Sequence, residues 1–424
     1  MELPRGMKDF ENSEFLEIEF IRKKFLEISE IFNFKLMEPS PLELLSTLEA
    51  KGGETLRDDV YFFKDKGERE IALRFDFTIG LTRFIASQKS FKLPAKISSF
   101  GGVWRYDEPQ KGRYRFFHQF DIEIFGKVNL EHDAEIIEFV SKFFEKIQLK
   151  NIVIDISHRN LVESYINKIF ESNDEQIVSD ILRAVDKIQK KSKQEIMSEF
   201  EKKGYSSTKL EKIIEFSKIN GTPEEIEQKF DTNLLESWND LKIIFRSLQN
   251  RNVNNIRINF GIVRGLDYYS GIVFEAFDTS FDIGALVGGG RYDNLPSIFG
   301  NNDLGATGVA GGIERIILSL NNQNSLHTIQ NPRISVVYVN DDMQQIAINL
   351  ASTLRDKGIF VDIDLSGKSL KKQMELSINS KFVVIIGPKE FSDGVVILRN
   401  MLDRTEKQIK IENLLLESKS IFNL

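Results

Sequence analysis

The segment that most constrains this fold is Phe100 to Gly126, FGGVWRYDEPQKGRYRFFHQFDIEIFG. An apolar run ends at Arg105, a turn rich in Pro, Gly and Lys follows, and an alternating run extends from Phe116 to Phe125. Apolar or alternating runs on either side of turn-forming residues indicate two antiparallel strands joined by a loop. The sequence therefore predicts a β-hairpin here.

The second strand of this hairpin has one polar and one apolar face. Gln119, Asp121 and Glu123 share a face because successive side chains of a strand alternate, and apolar residues fill the positions between them. An ordinary strand with one face in water has the same alternation. Three arginines in the same segment favour a second interpretation, in which guanidinium groups bind phosphate oxygens and the acids hold an ammonium group or an imidazole. Such a site would bring a nucleotide to an amino acid.

The hairpin resembles motif 2 of the class II aminoacyl-tRNA synthetases, and its part QKGRYRFFHQFDIEIFG is similar to that of the histidyl-tRNA synthetases. Two later segments resemble the histidine-specific signatures of that family, VRGLDYYSGIVFEAF at Val263 to Phe277 and GGGRYDNL at Gly288 to Leu295. Alone, the glycine run could simply be a tight turn beside a strand. Two signatures in the family's order after motif 2 favour the resemblance.

Other segments resemble the remaining class II landmarks. Gly305 to Leu320 is similar to motif 3, a strand of small residues that leads into a helix beginning near Gly312, although alone it could be a packing turn capped by an arginine. Leu36 to Leu45 lies where motif 1 is expected, and Pro39 and Pro41 flank the position of its single proline.

Two segments that precede the hairpin also resemble the family. Pro4 to Phe10 resembles the family's opening segment. Ile71 to Phe84 resembles the segment that binds the ammonium group of the amino acid, with Asp76 where bacterial members have glutamate. A shorter carboxylate still supplies the anion.

Composition narrows the class of protein. The chain of 424 residues is long for one core, so roughly two to four domains are expected. It has no cysteine, which excludes disulfides and thiolate sites, and its four histidines lack the spacing of zinc ligands. No apolar run reaches the roughly 20 residues of a membrane span and no signal peptide is apparent, so we expect a cytoplasmic protein with no membrane partner. The net charge of -7 argues against binding nucleic acid over the whole surface, although a local basic patch can hold RNA.

Changes in periodicity divide the chain into blocks. We predict a catalytic domain at 1–322, with a charged helical insertion at about 165–245, then a polar linker at 323–332 and a second domain at 333–424. Alternating strand and helix patterns in the last block predict a small α/β module with a mostly parallel sheet. The resemblance implies a class II antiparallel-sheet catalytic domain, an insertion lying over the acceptor arm of tRNA, and a C-terminal anticodon-binding domain.

The resemblance also implies the reaction. Histidine would be joined to ATP, giving histidyl-adenylate and pyrophosphate, and the histidyl group would pass to the 3′ end of tRNA-His. A homodimer is implied, as is Mg²⁺ on the phosphates, whose protein ligands the sequence does not identify. Attack on the α-phosphate builds charge with little proton chemistry, so positioning and electrostatics should dominate catalysis.

Each candidate residue takes its role from the resemblance. Arg105 and Arg264 would contact the α-phosphate, Arg113 and Arg315 would hold the β- and γ-phosphates, and Asp107 would lie near the adenine amino group. Asp76, Thr78 and Gln119 would hold the ammonium group of histidine. Glu123 and Tyr269 would bind its two imidazole nitrogens, and Tyr268 and Tyr292 would complete the pocket.

Two alternatives keep the fold and lose the chemistry. One is an inert relative that acts as a regulatory subunit in histidine biosynthesis, which usually lacks the anticodon module and has degraded arginines. The other is an RNA-binding or processivity-type protein on the same scaffold. The C-terminal block and the arginines are both present here, which favours the enzyme.

Overall fold

The computed structural model describes residues 2–52, 54–88, 91–110, 112–188, 193–263, 268–326 and 333–422. The chain divides into two compact units, Met1–Thr328 and Ile329–Leu424. Each unit has a hydrophobic core of its own. Among the described residues, none of the helices combines the length and the apolarity that a membrane span requires.

The first unit is built on a large, mainly antiparallel sheet. Its strands in the described residues are β1 Lys35–Leu36, β2 Leu42–Leu44, β3 Phe62–Lys64, β4 Glu70–Leu73, β5 Ala95–Trp104, β6 Phe116–Gly126, β7 Ile152–His158, β8 Asn220–Gly221, β9 Ile256–Asn259, β10 Ile272–Asp278, β11 Val287–Arg291 and β12 Gly305–Gly312. Nine of them form one sheet in the order β1-β5-β6-β12-β11-β10-β7-β9-β8, and β2-β4-β3 form a small second sheet. Only the β1/β5 and β7/β9 pairings of the large sheet are parallel, so the predicted antiparallel sheet is confirmed.

The predicted hairpin is confirmed, and its burial decides between the two interpretations of its polar face. Strands β5 and β6 pair from Ala95 with Phe125 to Trp104 with Phe116. Every residue of β6 from Gln119 onward is buried, on both faces of the strand. The interpretation of β6 as a strand with one face in water is therefore wrong. Buried polar groups must find partners inside the protein.

Helices of the first unit pack against this sheet. In the described residues they are α1 Asn12–Ile31, α2 Leu45–Gly52, α3 Thr78–Ser87, α4 Leu130–Lys146, α5 Arg159–Phe170, α6 Glu175–Ile188, α7 Lys193–Lys202, α8 Ser207–Phe216, α9 Pro223–Glu227, α10 Trp238–Asn250, α11 Leu295–Ile298 and α12 Ile313–Asn322. Phe25 of α1 packs on Phe120 of β6 and on Phe143 of α4, with ring centroids 5.1 and 6.0 Å apart. The apolar face of β6 is thus sealed by α1 and α4, and the polar row points the other way.

Two local predictions about helices also hold. Helix α12 follows β12 directly, with Gly312 as its N-cap, as the motif 3 pattern predicts. The charged block between β7 and β9 consists mainly of helices, α5 to α10. Its apolar residues contribute to the core that also contains α1 and α4.

The second unit is a mixed α/β module. Its elements in the described residues are β13 Ile334–Tyr338, α13 Asp341–Asp356, β14 Val361–Ile363, α14 Leu370–Leu376, β15 Phe382–Ile386, α15 Pro388–Ser392, β16 Val395–Asn400, β17 Glu406–Lys410, α16 Ile411–Leu416 and α17 Ser418–Ile421. They form a sheet in the order β14-β13-β15-β16-β17. The α/β class is confirmed.

The predicted mostly parallel sheet is wrong in detail. Strand β13 is parallel to β14 and β15, whereas β16 is antiparallel to β15 and β17. Residues 387–394 are too few for the crossover of a dozen or more residues that a parallel pairing requires, so the chain turns back instead. Strand β17, which the sequence pattern missed, then forms a hairpin with β16.

Candidate active site

A pocket of about 280 Å³ lies at the polar face of β6. Its walls come from β6, β11 and β12, from the start of α3, and from residues that follow β5. Nine of the residues that the sequence assigned to substrates line it: Asp76, Thr78, Arg105, Asp107, Arg113, Glu123, Tyr268, Tyr269 and Tyr292. Residues more than 200 positions apart in the chain thus meet in one cavity.

One end of the pocket is built around the buried carboxylate of Glu123. The hydroxyl of Thr78, the first residue of α3, lies 2.9 Å from Glu123 Oε1. Tyr292 follows β11 and donates its phenolic hydrogen to Glu123 Oε2. Burial, and then the negative charge of Glu123, raises the pKa of Tyr292 well above its ordinary value, so this hydroxyl stays a donor.

Two more tyrosines complete this end. The rings of Tyr268 and Tyr269 lie side by side, with centroids 4.5 Å apart, and their hydroxyl oxygens are 3.3 Å apart. Tyr268 also meets the ring of Tyr292 edge-on at 5.8 Å. Three phenol groups and one carboxylate therefore face a space suited to a small aromatic ring with polar nitrogens.

Asp121 is a residue of this site to which the resemblance gave no role, although the polar face of β6 made it one of the acids suited to an ammonium group or an imidazole. It is completely buried, its Oδ1 accepts a hydrogen bond of 2.7 Å from Gln119 Nε2, and its Oδ2 lies 3.2 Å from the hydroxyl of Thr78. Burial, and then the charge of Asp76, raises the pKa of Asp121 to about 7. The alternation of β6 placed Asp121 beside Gln119 and Glu123, and only its burial shows that it belongs to the site.

Arg105 marks the opposite end of the pocket. Its Nη2 donates to Gln119 Oε1 at 3.0 Å, and its Nε donates to the carbonyl oxygen of Phe75 at 2.9 Å. Arg113 lines the same end and donates from Nε to Asp107 at 2.8 Å. These contacts hold the guanidinium groups at one place while leaving them further hydrogen atoms for an anion.

Arg315 adds a third positive charge near this end, although it does not line the pocket. Its Nη1 donates to the carbonyl oxygen of Ala285 at 3.0 Å. Burial, and then repulsion from Arg113 and Arg105, lowers the pKa of Arg315. Its neighbour Glu314 is tied to β6, because it accepts a 2.9 Å hydrogen bond from the backbone N–H of residue 118. Positive charges held together in this way favour the binding of a multiply charged anion.

Asp59 is a site residue that the sequence did not identify. It lines the pocket, and burial followed by repulsion from Asp107 raises its pKa. Its segment carries no motif, so only the fold brings it to the arginines. Among the described residues, no group of three or more His, Cys, Asp or Glu side chains is arranged to hold a metal ion.

The structure thus brings together most of the predicted residues. Gln119 does not line the pocket itself but is bonded to Arg105 and to Asp121, behind its wall. Asp107 pairs with Arg113. Arg264 lies outside the described residues. The substrate roles of all these residues stay predictions.

Comparison with known proteins gives the family. A family model described as Histidyl-tRNA synthetase matches residues 6–316 of the chain. The chain belongs to the histidyl-tRNA synthetase family. A second model, described as Anticodon binding domain, matches residues 333–419, as expected for a histidyl-tRNA synthetase with its C-terminal module.

Individual relatives agree with this over almost the whole chain. A histidine–tRNA ligase of Pyrobaculum islandicum is 32% identical over 408 residues, covering 95% of this chain and 94% of the relative. A histidine–tRNA ligase of Pyrococcus furiosus is 32% identical over 425 residues, covering 98% of each chain. These relatives span both units of the histidyl-tRNA synthetase fold.

Solved structures show the same fold. Histidyl-tRNA synthetase from Nostoc sp. PCC 7120 superposes with a TM-score of 0.80, at 25% identity and 99% coverage of both chains. A Bacillus halodurans protein described as an ATP phosphoribosyltransferase regulatory subunit/histidyl-tRNA synthetase has a TM-score of 0.75 at 19% identity, covering 91% of this chain and 98% of that one. The fold alone therefore does not separate the enzyme from the regulatory subunit. The sequence relatives do, because they are ligases matched from end to end.

A glycine on β12 gives a direct test of the pocket. Gly308 pairs with Glu123 in the sheet, and a Cβ there would overlap Glu123 Oε2 and lie 2.6 Å from the carbonyl oxygen of Ile122. We expect Gly308→Ala to displace Glu123 and to lower kcat/KM for histidine in ATP–pyrophosphate exchange by roughly a hundred-fold. Gly312→Ala is the matched control, since no atom lies within 4 Å of its added carbon. Equal rates for the two variants would contradict the proposed position of Glu123.

Proposed function

We propose that this chain activates histidine with ATP and transfers the histidyl group to tRNA-His. The observation that carries the proposal is a hydrogen-bonded network that joins the two ends of the pocket. From one end to the other, its members are Tyr292, Glu123, Thr78, Asp121, Gln119 and Arg105. A carboxylate suited to an imidazole thus sits in fixed relation to a guanidinium suited to a phosphate.

Histidine would be recognised at the Glu123 end. Glu123 and Tyr269 would bind the two imidazole nitrogens, while Tyr268 and Tyr292 enclose the ring. Its ammonium group would lie near Asp76, Thr78 and Gln119. A site that hydrogen-bonds both ring nitrogens rejects an analogue lacking one of them by roughly ten-thousand-fold, because its own buried groups would lose their partners.

ATP would bind at the arginine end. The histidine carboxylate would attack the α-phosphorus, an oxygen–phosphorus bond would form, and pyrophosphate would leave. Arg105, and Arg264 by resemblance, would stabilise the charge that builds on the α-phosphate oxygens, while Arg113 and Arg315 hold the leaving pyrophosphate. Asp107 would lie near the adenine amino group.

The residues present also fit Mg²⁺. This ion is usually held by one or two carboxylates together with substrate phosphates. Asp59, which lines the pocket close to Arg113, would supply a carboxylate. When bound, Mg²⁺ neutralises charge on the phosphates.

Different parts of the chain would bind different parts of the tRNA. Residues 1–322 would form the catalytic domain, and the helical insertion at about 165–245 would lie over the acceptor arm. After a linker at 323–332, residues 333–424 would read the anticodon. We also expect the enzyme in the cytoplasm, where it would meet tRNA and ATP.

The small second sheet supports a homodimer. Its register places Leu42, Leu44, Phe63, Ile71 and Leu73 on one face, and Leu42, Leu44 and Phe63 are 40 to 49% exposed. The opposite face of the same sheet contains buried groups. An apolar face turned outward, in the region where motif 1 is expected, fits a second copy of this chain.

The same region is braced against the hairpin of the site. Arg74 is buried, and its guanidinium donates to the carbonyl oxygen of Pro39 at 2.8 Å and to that of Gly102 on β5 at 2.9 Å. Its backbone N–H donates to the carbonyl oxygen of Pro41 at 3.0 Å. Both prolines are therefore fixed to the strand that leads into Arg105, so a change at the interface would be felt in the pocket.

The first test is amino-acid specificity. ATP–pyrophosphate exchange should occur with histidine and with none of the other nineteen standard amino acids, because Glu123 and the tyrosines suit an imidazole. Exchange with another amino acid at a similar rate would contradict the histidine assignment. No exchange with any amino acid would point to the inert regulatory relative.

The second test concerns the C-terminal unit. A chain shortened to residues 1–328 should still support histidine-dependent exchange, because the pocket lies wholly within the first unit. It should aminoacylate tRNA-His poorly, since it lacks the predicted anticodon reader. If initial rates of aminoacylation match those of the full chain, residues 333–424 do not read the anticodon.

The third test concerns the dimer. We expect Phe63→Glu to convert a dimer into a monomer of about 49 kDa and to abolish exchange, because a charge would enter an interface of more than about 2,000 Å². Ile243→Glu is the control, as Ile243 on α10 is 43% exposed and lies outside the small sheet. Sedimentation velocity gives the mass. A wild-type monomer with full activity would overturn the proposal.

A further inference from the structure

Asp121 is the common neighbour of the residues proposed to hold the ammonium group of histidine. It bonds to Gln119 through Oδ1 and to Thr78 through Oδ2, and the charge of Asp76 raises its pKa. It does not line the pocket, and no part of its side chain reaches solvent. A fully buried carboxylate is costly in free energy unless it is hydrogen-bonded and paired with an opposite charge.

Arg105 and Asp121 together fix the orientation of the Gln119 amide. Arg105 has only donors, so the group it faces at 3.0 Å must be the amide oxygen of Gln119. The amide nitrogen then faces Asp121 Oδ1 at 2.7 Å and donates to it. Without an acceptor at position 121, the amide nitrogen would lose its partner, and Arg105 alone would hold the amide at its oxygen.

We infer that Asp121 is a positioning residue for histidine: it orients the Gln119 amide and adds a second negative charge behind Asp76 that draws the ammonium group into place. The inference rests on the proposed function, because it takes the ammonium group of an amino acid as the ligand at Asp76.

This role has a pH signature. The charged groups around Asp121 are Asp76, before α3, Glu123, on the same strand, and Arg105, after β5. Burial and the charge of Asp76 raise the pKa of Asp121 to about 7, against the opposing effects of its two hydrogen bonds and of Arg105. A bound ammonium cation favours the ionised form and lowers this pKa. Binding below pH 7 must therefore expel a proton, and affinity for histidine falls as the pH drops.

Asp121→Asn reproduces the neutral form with little change in volume. Its amide oxygen can accept from Gln119, and its amide nitrogen can donate to Thr78, which still donates to Glu123. The protonated wild type and the variant should therefore hold the same network and bind histidine alike. Only the ionised wild type has the extra attraction.

The test is calorimetric titration of the full-length protein with histidine between pH 6 and pH 8.5. At pH 8 the variant should bind about ten-fold more weakly than the wild type, and the two dissociation constants should converge as the pH falls to 6. Titration of the histidine ring affects both proteins equally. Asp155→Asn is the control, because Asp155 is a buried carboxylate on β7, bonded to Arg257 and absent from the pocket wall, and it should follow the wild-type curve.

The inference would be overturned if the ratio of the two dissociation constants, variant to wild type, stayed the same at every pH. A purely structural loss of affinity would give such a constant ratio. If the variant does not fold, proton release by the wild type decides. At pH 7 it should release about half a proton more than the histidine ring can supply, and no excess would overturn the inference. Failure of the wild type to bind histidine at any pH would contradict the proposed function instead.

Discussion

Burial of a polar row on one central strand governs the rest of this structure. Gln119, Asp121 and Glu123 lie in the interior, where each unpaired group would cost free energy, so neighbouring elements must supply partners. The start of α3 brings Thr78, the end of β11 brings Tyr292, and the end of β5 brings Arg105. The start of α3 and the ends of β5 and β11 thus lie where they supply partners to these three polar side chains, and the cavity lies among them.

The opposite face of the same strand packs in the hydrophobic core and stabilises the fold. Aromatic side chains of α1 and α4 pack on it, in a core that shares Val309 with the pocket lining. The Bacillus halodurans protein described as an ATP phosphoribosyltransferase regulatory subunit/histidyl-tRNA synthetase has this fold at 19% identity, so the fold is kept where most of the sequence differs.

Much of this arrangement could be predicted from the sequence, for reasons that are local. The hairpin follows from alternation and turn residues, and α12 begins where small residues give way to a helical pattern. Burial of the polar row could not be predicted, because a strand with one face in water has the same alternation. The antiparallel β16 and β17 depend on loop length and a weak pattern. Asp59 belongs to the site only through distant neighbours, which no motif records, and the contacts of Asp121 with Thr78 and Asp76 likewise depend on the fold.

The bond between Arg105 and Gln119 would couple the two proposed substrate sites thermodynamically. Gln119 Oε1 is held by Arg105 in this structure, and the same oxygen is the one proposed to face the ammonium group of histidine. A phosphate that draws Arg105 toward itself would release that oxygen, so nucleotide binding would change the affinity for the amino acid. Because such coupling is reciprocal, histidine would change the affinity for nucleotide by the same factor. Because both sites would share this one acceptor, the fold itself would favour one order of substrate binding.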